Sequence, residues 1–288
     1  MLTGVCRRDN GVLFLCYGPE MDVFRNEPWQ SIDAPELHNI EAYTFLEERQ
    51  LCAWLAQEIY TGKGEIVDAG AFFGGSALSF AVGLARNQRL ADDDKVGRVH
   101  SFDKFEWDPW IKQEFRPENV AFGSSFANRY HDTVKPYDAM VTVYPGDICQ
   151  RRWRSGPIEI LFIDCAKTFA ANAAVMRLFF PHLSPESIII QQDYAVLSRL
   201  IWIHAAMEYL WDFFDDHGCT KFGGSTLFSV KKAIAAEDVE DCIQAIRTNC
   251  LALAQSAAER FSDRRRAGIL NSIAAYKDSP LPLTITDC

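Results

Sequence analysis

Short apolar runs alternate with longer segments of helical spacing through the middle of the chain. Five of the runs have the length and apolar character of strands. We predict strands over residues 65–69, 98–102, 140–144, 158–163 and 187–191. Helices or loops fill the intervals between them. This βαβ rhythm predicts an α/β fold with a doubly wound, Rossmann-like, mostly parallel sheet.

The patterns on either side of this region predict further elements. Residues 40–60 have helical periodicity, which ends at Thr61-Gly-Lys-Gly. Near the other end, Cys219–Phe222 and Thr226–Val230 flank Gly223-Gly224, which indicates an antiparallel hairpin. With this hairpin the predicted sheet has seven strands.

The chain divides into three predicted parts. Residues 1–38 form an N-terminal cap or arm, with a strand over Val12–Tyr17. Residues 39–232 form the α/β domain. Residues 233–288 form a charged helical extension suited to packing or oligomerisation, in which Pro280–Cys288 is a frayed tail.

Length and composition are those of an ordinary globular chain. The 288 residues suit one large domain with appendages, and 48% hydrophobic with 24% charged residues allow a full core. No apolar run reaches the roughly 18 residues of a membrane helix, and the N-terminus has no signal-peptide pattern. Nine cysteines lie scattered without a Cys-x-x-Cys pair. They indicate reduced thiols in a cytoplasmic protein, not a disulfide framework or a zinc site.

The charge of the chain bears on its partners. A formal net charge of -10 argues against nucleic acid, because a phosphate backbone requires a basic face. Basic clusters at residues 151–154 and 264–266 are more typical of solvated loop or helix faces. We therefore expect a small-molecule partner, with no nucleic acid and no membrane. Homo-oligomerisation is left open.

Residues 65–76 carry the strongest functional signal. A short apolar strand ends on the carboxylate of Asp68. A turn with Gly70, Gly74 and Gly75 follows, and then a helical stretch. This order places an adenosine-type cofactor at the carboxyl edge of a parallel sheet. A dinucleotide fold would have Gly-x-Gly-x-x-Gly, so the spacing Asp-x-Gly-x-x-x-Gly-Gly-Ser disfavours a nicotinamide-dependent oxidoreductase.

This pattern resembles motif I of class I S-adenosylmethionine-dependent methyltransferases, which also have an antiparallel hairpin after their fifth strand. The resemblance implies that Asp68 faces the methionine ammonium, Gly70 lets the backbone lie against the cofactor, and Ser76 binds the cofactor carboxylate. Phe72 and Gly74 complete the predicted cofactor-binding turn. The alternative is a tight strand-to-helix turn in some other α/β protein.

Acids follow the next two predicted strands. Asp103 ends the second strand, where an acid accepts the ribose hydroxyls. Its alternative role is to cap the following loop or helix. Gly146-Asp147-Ile148 follows the third strand. In similar methyltransferases an acid or amide here contacts the adenine amino group, and we expect Ile148 to line the adenine pocket.

The fourth and fifth strands are followed by Asp164-Cys-Ala-Lys167 and Gln192-Asp193. Asp164 and Lys167 resemble the Asp-x-x-Lys of the catechol O-methyltransferase family, in which the acid binds magnesium and the lysine deprotonates the acceptor hydroxyl. Macrocin O-methyltransferase-like enzymes are also similar, with an Asp at the same strand end and Asp-Asp-Tyr after strand five. The resemblance implies a magnesium site of Asp164, Gln192 and Asp193.

Two positions depart from these families. Gln192 replaces a carboxylate, and because magnesium prefers charged oxygens we expect weak binding or none. Ala166 stands where macrocin-type enzymes carry a second acid, which leaves Lys167 as the matching base. Lysine acts as a base only when its pKa is lowered, and a nearby Asp164 would raise it. His204, in the helix after strand five, is the alternative base unless it is a packing residue.

The acids that end strands one to four are expected to converge around one adenosyl group, and they are Asp68, Asp103, Asp147 and Asp164. The aromatic segment Lys104–Arg129 is either a lid over the substrate or an insertion anchored to the core. Together these features predict S-adenosylmethionine-dependent methyl transfer to a hydroxyl of a sugar or phenolic natural product, through in-line positioning. The alternatives are a metal-independent N- or O-methyltransferase and an inactive adenosyl-binding protein.

Overall fold

A computed structural model describes residues 8–9, 12–13, 23–24, 26–196 and 199–283. The described part begins with a short antiparallel ladder of Arg8–Asp9 and Val12–Leu13. Of the strand predicted over Val12–Tyr17, residues 14–17 lie outside the described residues. The same holds for residues 284–288 of the predicted tail.

A seven-stranded sheet forms the centre of the molecule. Its strands are β1 (Glu65–Ala69), β2 (Val99–Asp103), β3 (Val141–Pro145), β4 (Ile158–Ile163), β5 (Leu183–Gln191), β6 (Phe214–Cys219) and β7 (Thr226–Val230). They lie in the order β3-β2-β1-β4-β5-β7-β6. The first five strands are parallel, and β7 pairs antiparallel with both β5 and β6. The predicted fold class is confirmed.

Helices cover both faces of the sheet. The α-helices of the described residues are α1 (Leu46–Trp54), α2 (Gly75–Arg86), α3 (Ala127–Val134), α4 (Phe169–Phe179), α5 (Ile201–Tyr209), α6 (Ala236–Arg260) and α7 (Arg264–Asp278). A π-helical turn over Leu55–Ile59 continues α1. Short 3₁₀ turns cover Pro28–Ser31, Pro35–Leu37, Asp92–Lys95, Gln113–Phe115, Lys135–Met140, Ile148–Gln150, Phe180–His182 and Trp211–Phe213. Across the residues described, none of the helices has both the length and the apolar character needed to cross a membrane.

The core lies in two layers, one on each face of the sheet. Successive side chains of a strand point to opposite faces. Ile66 of β1 and Phe162 of β4 therefore join the hydrophobic cluster that contains residues of α1 and α2. Val67 and Leu161, their neighbours in sequence, join the cluster that contains residues of α4, α5, α6 and α7. The helical C-terminal extension thus completes the second layer.

The order of the strands reverses between β1 and β4. The chain builds β2 and β3 on one side of β1 and then returns to place β4 on the other side. In open α/β sheets, ligands bind at such a switch point, outside the carboxyl ends of the strands. Here Gly70 N donates to Phe102 O at 2.9 Å and Asp164 N donates to Ala69 O at 2.7 Å. The ends of β1, β2 and β4 therefore lie side by side.

Most strand bounds agree with the predictions to within one residue, but β6 does not. It covers Phe214–Cys219, whereas the hairpin prediction placed this strand at 219–222. Asp215 and Asp216 are exposed on this edge strand. Charged residues keep an edge strand from pairing with other chains, so the strand lacks the apolar alternation by which strands are recognised. β5 also begins earlier than predicted, at Leu183.

The helix predicted from Ile40 begins only at Leu46. Residues 40–45 instead lie over the glycine-rich turn. A Cβ on Gly75 would be 2.6 Å from the Cβ of Ala42, which leaves no room for a larger residue. Because Gly75 has no side chain, residues 40–45 can pass directly over the start of α2.

The cysteines of the described residues differ in whether they are free thiols or disulfide-bonded. Cys52, Cys165, Cys219, Cys242 and Cys250 are free thiols. Cys149 is disulfide-bonded, so the expectation of reduced cysteines is wrong at this position. Cys52, Cys242 and Cys250 are buried, and burial raises the pKa of each thiol.

Candidate active site

Four acids stand at the carboxyl ends of four neighbouring parallel strands, and they are Asp68 in β1, Asp103 in β2, Asp147 after β3 and Asp164 after β4. Asp68 lies in register between Ser101 of β2 and Phe162 of β4. Asp103 pairs with Pro145 of β3. The sheet therefore brings the four predicted acids to one edge, at the switch point.

Gly70 follows β1 in a conformation that requires glycine. Its φ is +108°, a value that L side chains rarely adopt. A Cβ there would be 2.7 Å from the carbonyl carbon of Asp164 and 2.8 Å from the backbone nitrogen of Cys165. The chain leaving β4 therefore already requires a glycine here. The close approach of a cofactor to Gly70 stays a prediction.

Asp68 is completely buried beneath the turn. Ser76 Oγ donates to Asp68 Oδ1 at 2.8 Å, and Ser101 Oγ donates to Asp68 Oδ2 at 3.4 Å. Burial raises the pKa of Asp68 to about 7, although the bond from Ser76 acts in the opposite direction. The hydroxyl that was predicted to bind the cofactor carboxylate thus ties α2 to β1.

Thr44 provides a hydroxyl that the sequence did not reveal. It lies in the segment above the turn, where a Cβ on Gly75 would be 3.1 Å from Thr44 Oγ1. This oxygen is buried and has no hydrogen-bond partner within the described residues. The first N–H groups of a helix also lack intrahelical partners, and α2 begins at Gly75. A hydroxyl and a helix N-terminus together suit a carboxylate.

Asp103 holds the turn from β2. Phe72 N donates to Asp103 Oδ2 at 2.9 Å, and Phe105 N donates to Asp103 Oδ1 at 2.7 Å. Phe72 has a φ of +46°, which is unusual for an aromatic residue, and its bond to Asp103 holds it there. Burial raises the pKa of Asp103, while these backbone bonds lower it. The carboxylate retains lone pairs for further donors.

Asp147 follows the end of β3 and has one basic partner, Lys104, within the described residues. Cys149 N donates to Asp147 Oδ1 at 3.0 Å, and Lys104 Nζ is 3.0 Å from Asp147 Oδ2. Gly146 has a φ of +117°, and a Cβ there would overlap the guanidinium of Arg151. Ile148, predicted to line the adenine pocket, is 9% exposed and belongs to the large core cluster.

An ionic cluster lies where β4 and β5 end. Lys167 Nζ is 2.5 Å from Asp164 Oδ1 and also contacts Asp193 Oδ2. With its NH₂ turned toward the carboxylates, the Gln192 amide would donate to Asp193 Oδ1 at 2.7 Å and to Asp164 Oδ1 at 3.0 Å. The structure therefore joins four predicted residues in one cluster.

The charges of this cluster depend on each other. Burial raises the pKa of Asp164 to about 7 even though Lys167 lowers it. Burial lowers the pKa of Lys167, but the two carboxylates raise it by more, and the net shift is upward. Lys167 is therefore held as a cation, which argues against its predicted role as the base. That role stays a prediction.

The predicted magnesium ligands lie together in this cluster, and their role as ligands stays a prediction. The Lys167 ammonium contacts both carboxylates, and the Gln192 amide can turn either its oxygen or its NH₂ toward them. Magnesium requires hard oxygens in an octahedron. The part of the chain that the structure describes contains no group of three His, Cys, Asp or Glu side chains able to hold a metal ion.

The fold does not place His204 at the surface of the ionic cluster formed by Asp164, Lys167 and Asp193. Its side chain is completely buried in α5, its Nε2 lies 3.2 Å from Ser272 Oγ of α7, and its ring packs on Tyr194. Burial lowers the pKa of His204 to about 3. These contacts match the alternative packing role, and the catalytic role stays a prediction.

The aromatic segment Lys104–Arg129 is anchored near its two ends. Phe105, Trp107 and Phe126 are buried in a cluster with Phe72 of the glycine-rich turn. Trp110 is 58% exposed, with its ring 6.3 Å from that of Phe72. The segment packs on the turn as an insertion would, and whether it also covers a substrate stays a prediction.

Two adjacent acids of α1 hold the β6–β7 loop, and neither was among the residues predicted from the sequence. Glu48 is completely buried and accepts bonds from the backbone N–H groups of Gly224 and Ser225, both at 3.2 Å. Glu47 accepts from Phe222 N at 2.7 Å. We name residues 220–225 the hairpin loop.

The hairpin loop packs on the chain leaving β5. A Cβ on Gly224 would be 2.6 Å from Gln192 O, and Ala195 N donates to Gly224 O at 3.1 Å. Glu48 also raises the pKa of Asp164 through its charge. The loop and its carboxylate therefore support one wall of the ionic cluster.

The basic cluster at 264–266 is not the solvated face that was expected. Arg264 Nη1 donates to the carbonyl of Thr220 in the hairpin loop at 3.0 Å. Arg265 is 6% exposed and pairs with Asp216 at 2.5 Å and with Asp263 at 2.6 Å. These cations hold α7 against the sheet edge.

Solved structures with a similar arrangement are distant. They include the apo form of CalS11, a TDP-rhamnose 3'-O-methyltransferase of calicheamicin biosynthesis, 12% identical over 63% of this chain and 76% of that chain, with a TM-score of 0.44. A putative O-methyltransferase from Klebsiella pneumoniae is 15% identical over 70% and 92%, with a TM-score of 0.45. An O-methyltransferase from Bacillus cereus in complex with SAH is 15% identical over 66% and 82%, with a TM-score of 0.42. Likeness this distant identifies neither a substrate nor a site residue.

The family match is centred on the sheet edge described above. No curated protein matches the chain. Residues 67–194 match a family model described as "Methyltransferase domain". The match runs from β1 to the end of β5 and includes all predicted site residues except His204. Residues 67–194 of this chain are thus similar to a methyltransferase domain.

Proposed function

We propose that this protein transfers the methyl group of S-adenosylmethionine to a hydroxyl of a small acceptor, a sugar or a phenolic natural product. The observation that carries the proposal is the row of acids at the switch point, beside a glycine-rich turn and an unpaired buried hydroxyl. The cofactor presents an ammonium and an adenosyl group, which suit the acids, and a carboxylate, which suits the hydroxyl.

The residues present fit the cofactor from end to end. Thr44 Oγ1 and the N-terminus of α2 would hold its carboxylate, because the hydroxyl has no partner within the described residues. Asp103 would accept the ribose hydroxyls with the lone pairs that Phe72 and Phe105 leave free. Asp147 would accept from the adenine amino group. Asp68 would support the turn and add negative charge near the ammonium.

When bound, S-adenosylmethionine supplies a methyl group already activated on a sulfonium. The protein then has to align the acceptor oxygen with that methyl group and receive the proton of the hydroxyl. The carboxylates of Asp164 and Asp193 are the proton acceptors of the cluster, and the Lys167 ammonium between them would stabilise an oxygen that becomes negative. A hydroxyl acceptor is favoured over an amine because a hydroxyl has to lose its proton to these carboxylates, and its oxygen then becomes negative beside the ammonium.

Cofactor binding tests the proposal. Asp103→Ala removes the acceptor for the ribose hydroxyls and the cap of Phe72, so we expect the Kd for S-adenosylhomocysteine, measured by calorimetry, to rise at least about tenfold. Asp132→Ala, a change of an exposed acid in α3, is the matched control and should leave the Kd unchanged. Wild-type protein that does not bind, or equal affinity in both variants, would overturn the proposal.

The acceptor class is tested separately. Radiolabelled S-adenosylmethionine is incubated with the protein and panels of sugars, phenols and amines. Label transfer to hydroxyl acceptors supports the proposal, and transfer to amines alone would contradict it. Cofactor binding without transfer to any acceptor would favour the inactive adenosyl-binding protein.

A further inference from the structure

We infer that Arg49 of α1 binds S-adenosylmethionine directly, with its guanidinium paired to the carboxylate at the amino-acid end of the cofactor. The inference rests on the proposed function for the identity of the ligand, and it adds the cation that this carboxylate requires. Thr44 and the N-terminus of α2 offer hydrogen bonds at this place, but neither carries a full positive charge. The test compares two ligands that differ in the carboxylate, and it needs no methyl transfer.

The Arg49 side chain is buried, and its hydrogen-bonding groups are only partly used. It is 7% exposed. Its Nη1 donates to Ile40 O at 3.3 Å, whereas its Nε is buried and has no hydrogen-bond partner within the described residues. A guanidinium has five N–H donors in a planar arrangement that matches the two oxygens of a carboxylate. Arg49 therefore retains at least its Nε donor for a further acceptor.

The positive charge of Arg49 is only partly compensated by its neighbour in sequence. Burial lowers the pKa of Arg49, and the charge of Glu48 counteracts this effect only in part. The Glu48 carboxylate accepts its own hydrogen bonds from the backbone at the start of α1 and from the hairpin loop. Removing a charge from water is costly unless a group of opposite charge is hydrogen-bonded to it. A ligand carboxylate beside Arg49 would be such a group.

Arg49 reaches the segment of chain that lies over the start of α2. Ile40, whose carbonyl accepts its bond, has its Cγ2 3.7 Å from the place that a Cβ on Gly75 would occupy. Thr44 Oγ1 is 3.1 Å from the same place, and it is buried without a hydrogen-bond partner in the part of the chain that the structure describes. The N-cap of α2 is Gly74, which has no side chain with which to cap the helix. Unpaired groups of a guanidinium, a hydroxyl and a helix N-terminus therefore meet at one end of α2.

These three groups suit the carboxylate of the cofactor. The N–H groups of a helix start and a hydroxyl donate hydrogen bonds to an anion, and the helix macrodipole favours negative charge at the same place. The Arg49 guanidinium would attract the carboxylate and repel the cofactor ammonium, which has its negative partner in Asp68. Arg49 would thus fix which way the amino-acid end of the cofactor is turned.

The test is calorimetric binding of S-adenosylhomocysteine and of S-adenosyl-3-thiopropylamine, which lacks only the carboxylate. Arg49→Met removes the charge and keeps a long apolar side chain. We expect it to raise the Kd for S-adenosylhomocysteine at least about tenfold, and the Kd for the ligand without a carboxylate by no more than about twofold. Arg49→Lys retains the charge without the planar fork, so its Kd for S-adenosylhomocysteine should lie between those of the wild type and Arg49→Met. Arg247→Met, a change of an exposed arginine in α6, is the matched control and should bind both ligands as the wild type does.

The two ligands separate a contact with the cofactor from a structural role of Arg49. If Arg49 only holds the chain at Ile40 in place, Arg49→Met weakens the binding of both ligands by similar factors, and that result overturns the inference. Unchanged affinity for S-adenosylhomocysteine in a folded Arg49→Met protein, verified by circular dichroism, also overturns it. In both cases the wild type still binds S-adenosylhomocysteine, so the proposed function stands.

The wild type provides an arm that does not depend on the variants' folding. It should bind S-adenosylhomocysteine at least about tenfold more tightly than the ligand without a carboxylate. Equal affinities would show that the protein does not recognise the carboxylate, and they overturn the inference while the proposed function stands. Wild-type protein that binds neither ligand overturns both the proposed function and this inference.

Discussion

Replacing Glu48 with alanine should destabilise the protein more than any other change of an acid in α1. Its carboxylate accepts bonds from Phe45 N at 2.9 Å, from Ser225 Oγ at 2.7 Å, and from the N–H groups of Gly224 and Ser225 at 3.2 Å. Glu48 is completely buried. It therefore links the start of α1 to the hairpin loop without help from water.

The magnitude follows from the groups that the change leaves without partners. Gly224 and Ser225 are buried, so their N–H groups would lose their partner with little access to water. A buried donor left unsatisfied costs about 1–3 kcal/mol. The buried carboxylate itself carries a desolvation cost, since burial raises the pKa of Glu48, and its removal recovers part of the loss. We expect a net loss of about 3 kcal/mol in the free energy of unfolding.

The loss is measured by urea unfolding and by the thermal midpoint, which should fall by roughly 6–12 °C. Glu48→Gln retains one oxygen acceptor and should fall between the wild type and Glu48→Ala. Glu259→Ala, a change on the exposed face of α6, controls for the loss of a carboxylate. A Glu48→Ala variant within about 0.5 kcal/mol of the control would refute the reasoning, because the N–H groups would then have other partners.

Two further predictions concern the turn after β1. The pKa of Asp68 rises on folding from 3.8 to about 7, so the folded state binds the proton more tightly. This stabilisation is complete below the unfolded pKa and is lost as pH rises through about 7, a change of up to roughly 4 kcal/mol. The wild type should therefore lose stability relative to Asp68→Asn in urea unfolding between about pH 4 and pH 7, and a constant difference would contradict this. Gly70→Ala should lower the free energy of unfolding by at least about 2 kcal/mol more than Gly156→Ala in the same assay. Gly156 has a similar φ of +99° but open space around it, whereas a Cβ at position 70 meets the backbone of the chain leaving β4. Equal losses of stability in the two variants would mean that the positive φ alone, and not the contact with the neighbouring backbone, requires glycine at position 70.

The sequence predicted the central sheet well because its strands are buried. Residues 158–163 are apolar except Glu159, and residues 65–69 are apolar except Glu65 and Asp68. Both strands lie in the middle of the sheet, and both were placed to the residue. Burial on both faces requires such continuous apolar runs. The exposed edge at β6 obeys the opposite rule, with adjacent acids, and was misplaced.

The acids of the site were predictable for a related reason. Each lies at the carboxyl end of a parallel strand, so topology alone brings them to one edge. Thr44 and Glu48 were not predictable in the same way. Their positions depend on how residues 40–48 fold back over the glycine-rich turn, and that path is set by the absence of a side chain at Gly75 and by the amides of the hairpin loop. These are contacts between segments far apart in sequence, which spacing does not encode.

The identity of the cation is the clearest case in which spacing and geometry diverge. Asp-x-x-Lys after β4 is equally compatible with an acid that binds metal beside a lysine base and with an ion pair. The pattern specifies only which residues are present, whereas the choice depends on where the ammonium lies. In this chain Gln192 removes one carboxylate charge, so a single ammonium leaves the cluster closer to neutral than a full set of acids would allow. The substitution that weakened the predicted magnesium site thus also reduces the negative charge that the Lys167 ammonium has to balance.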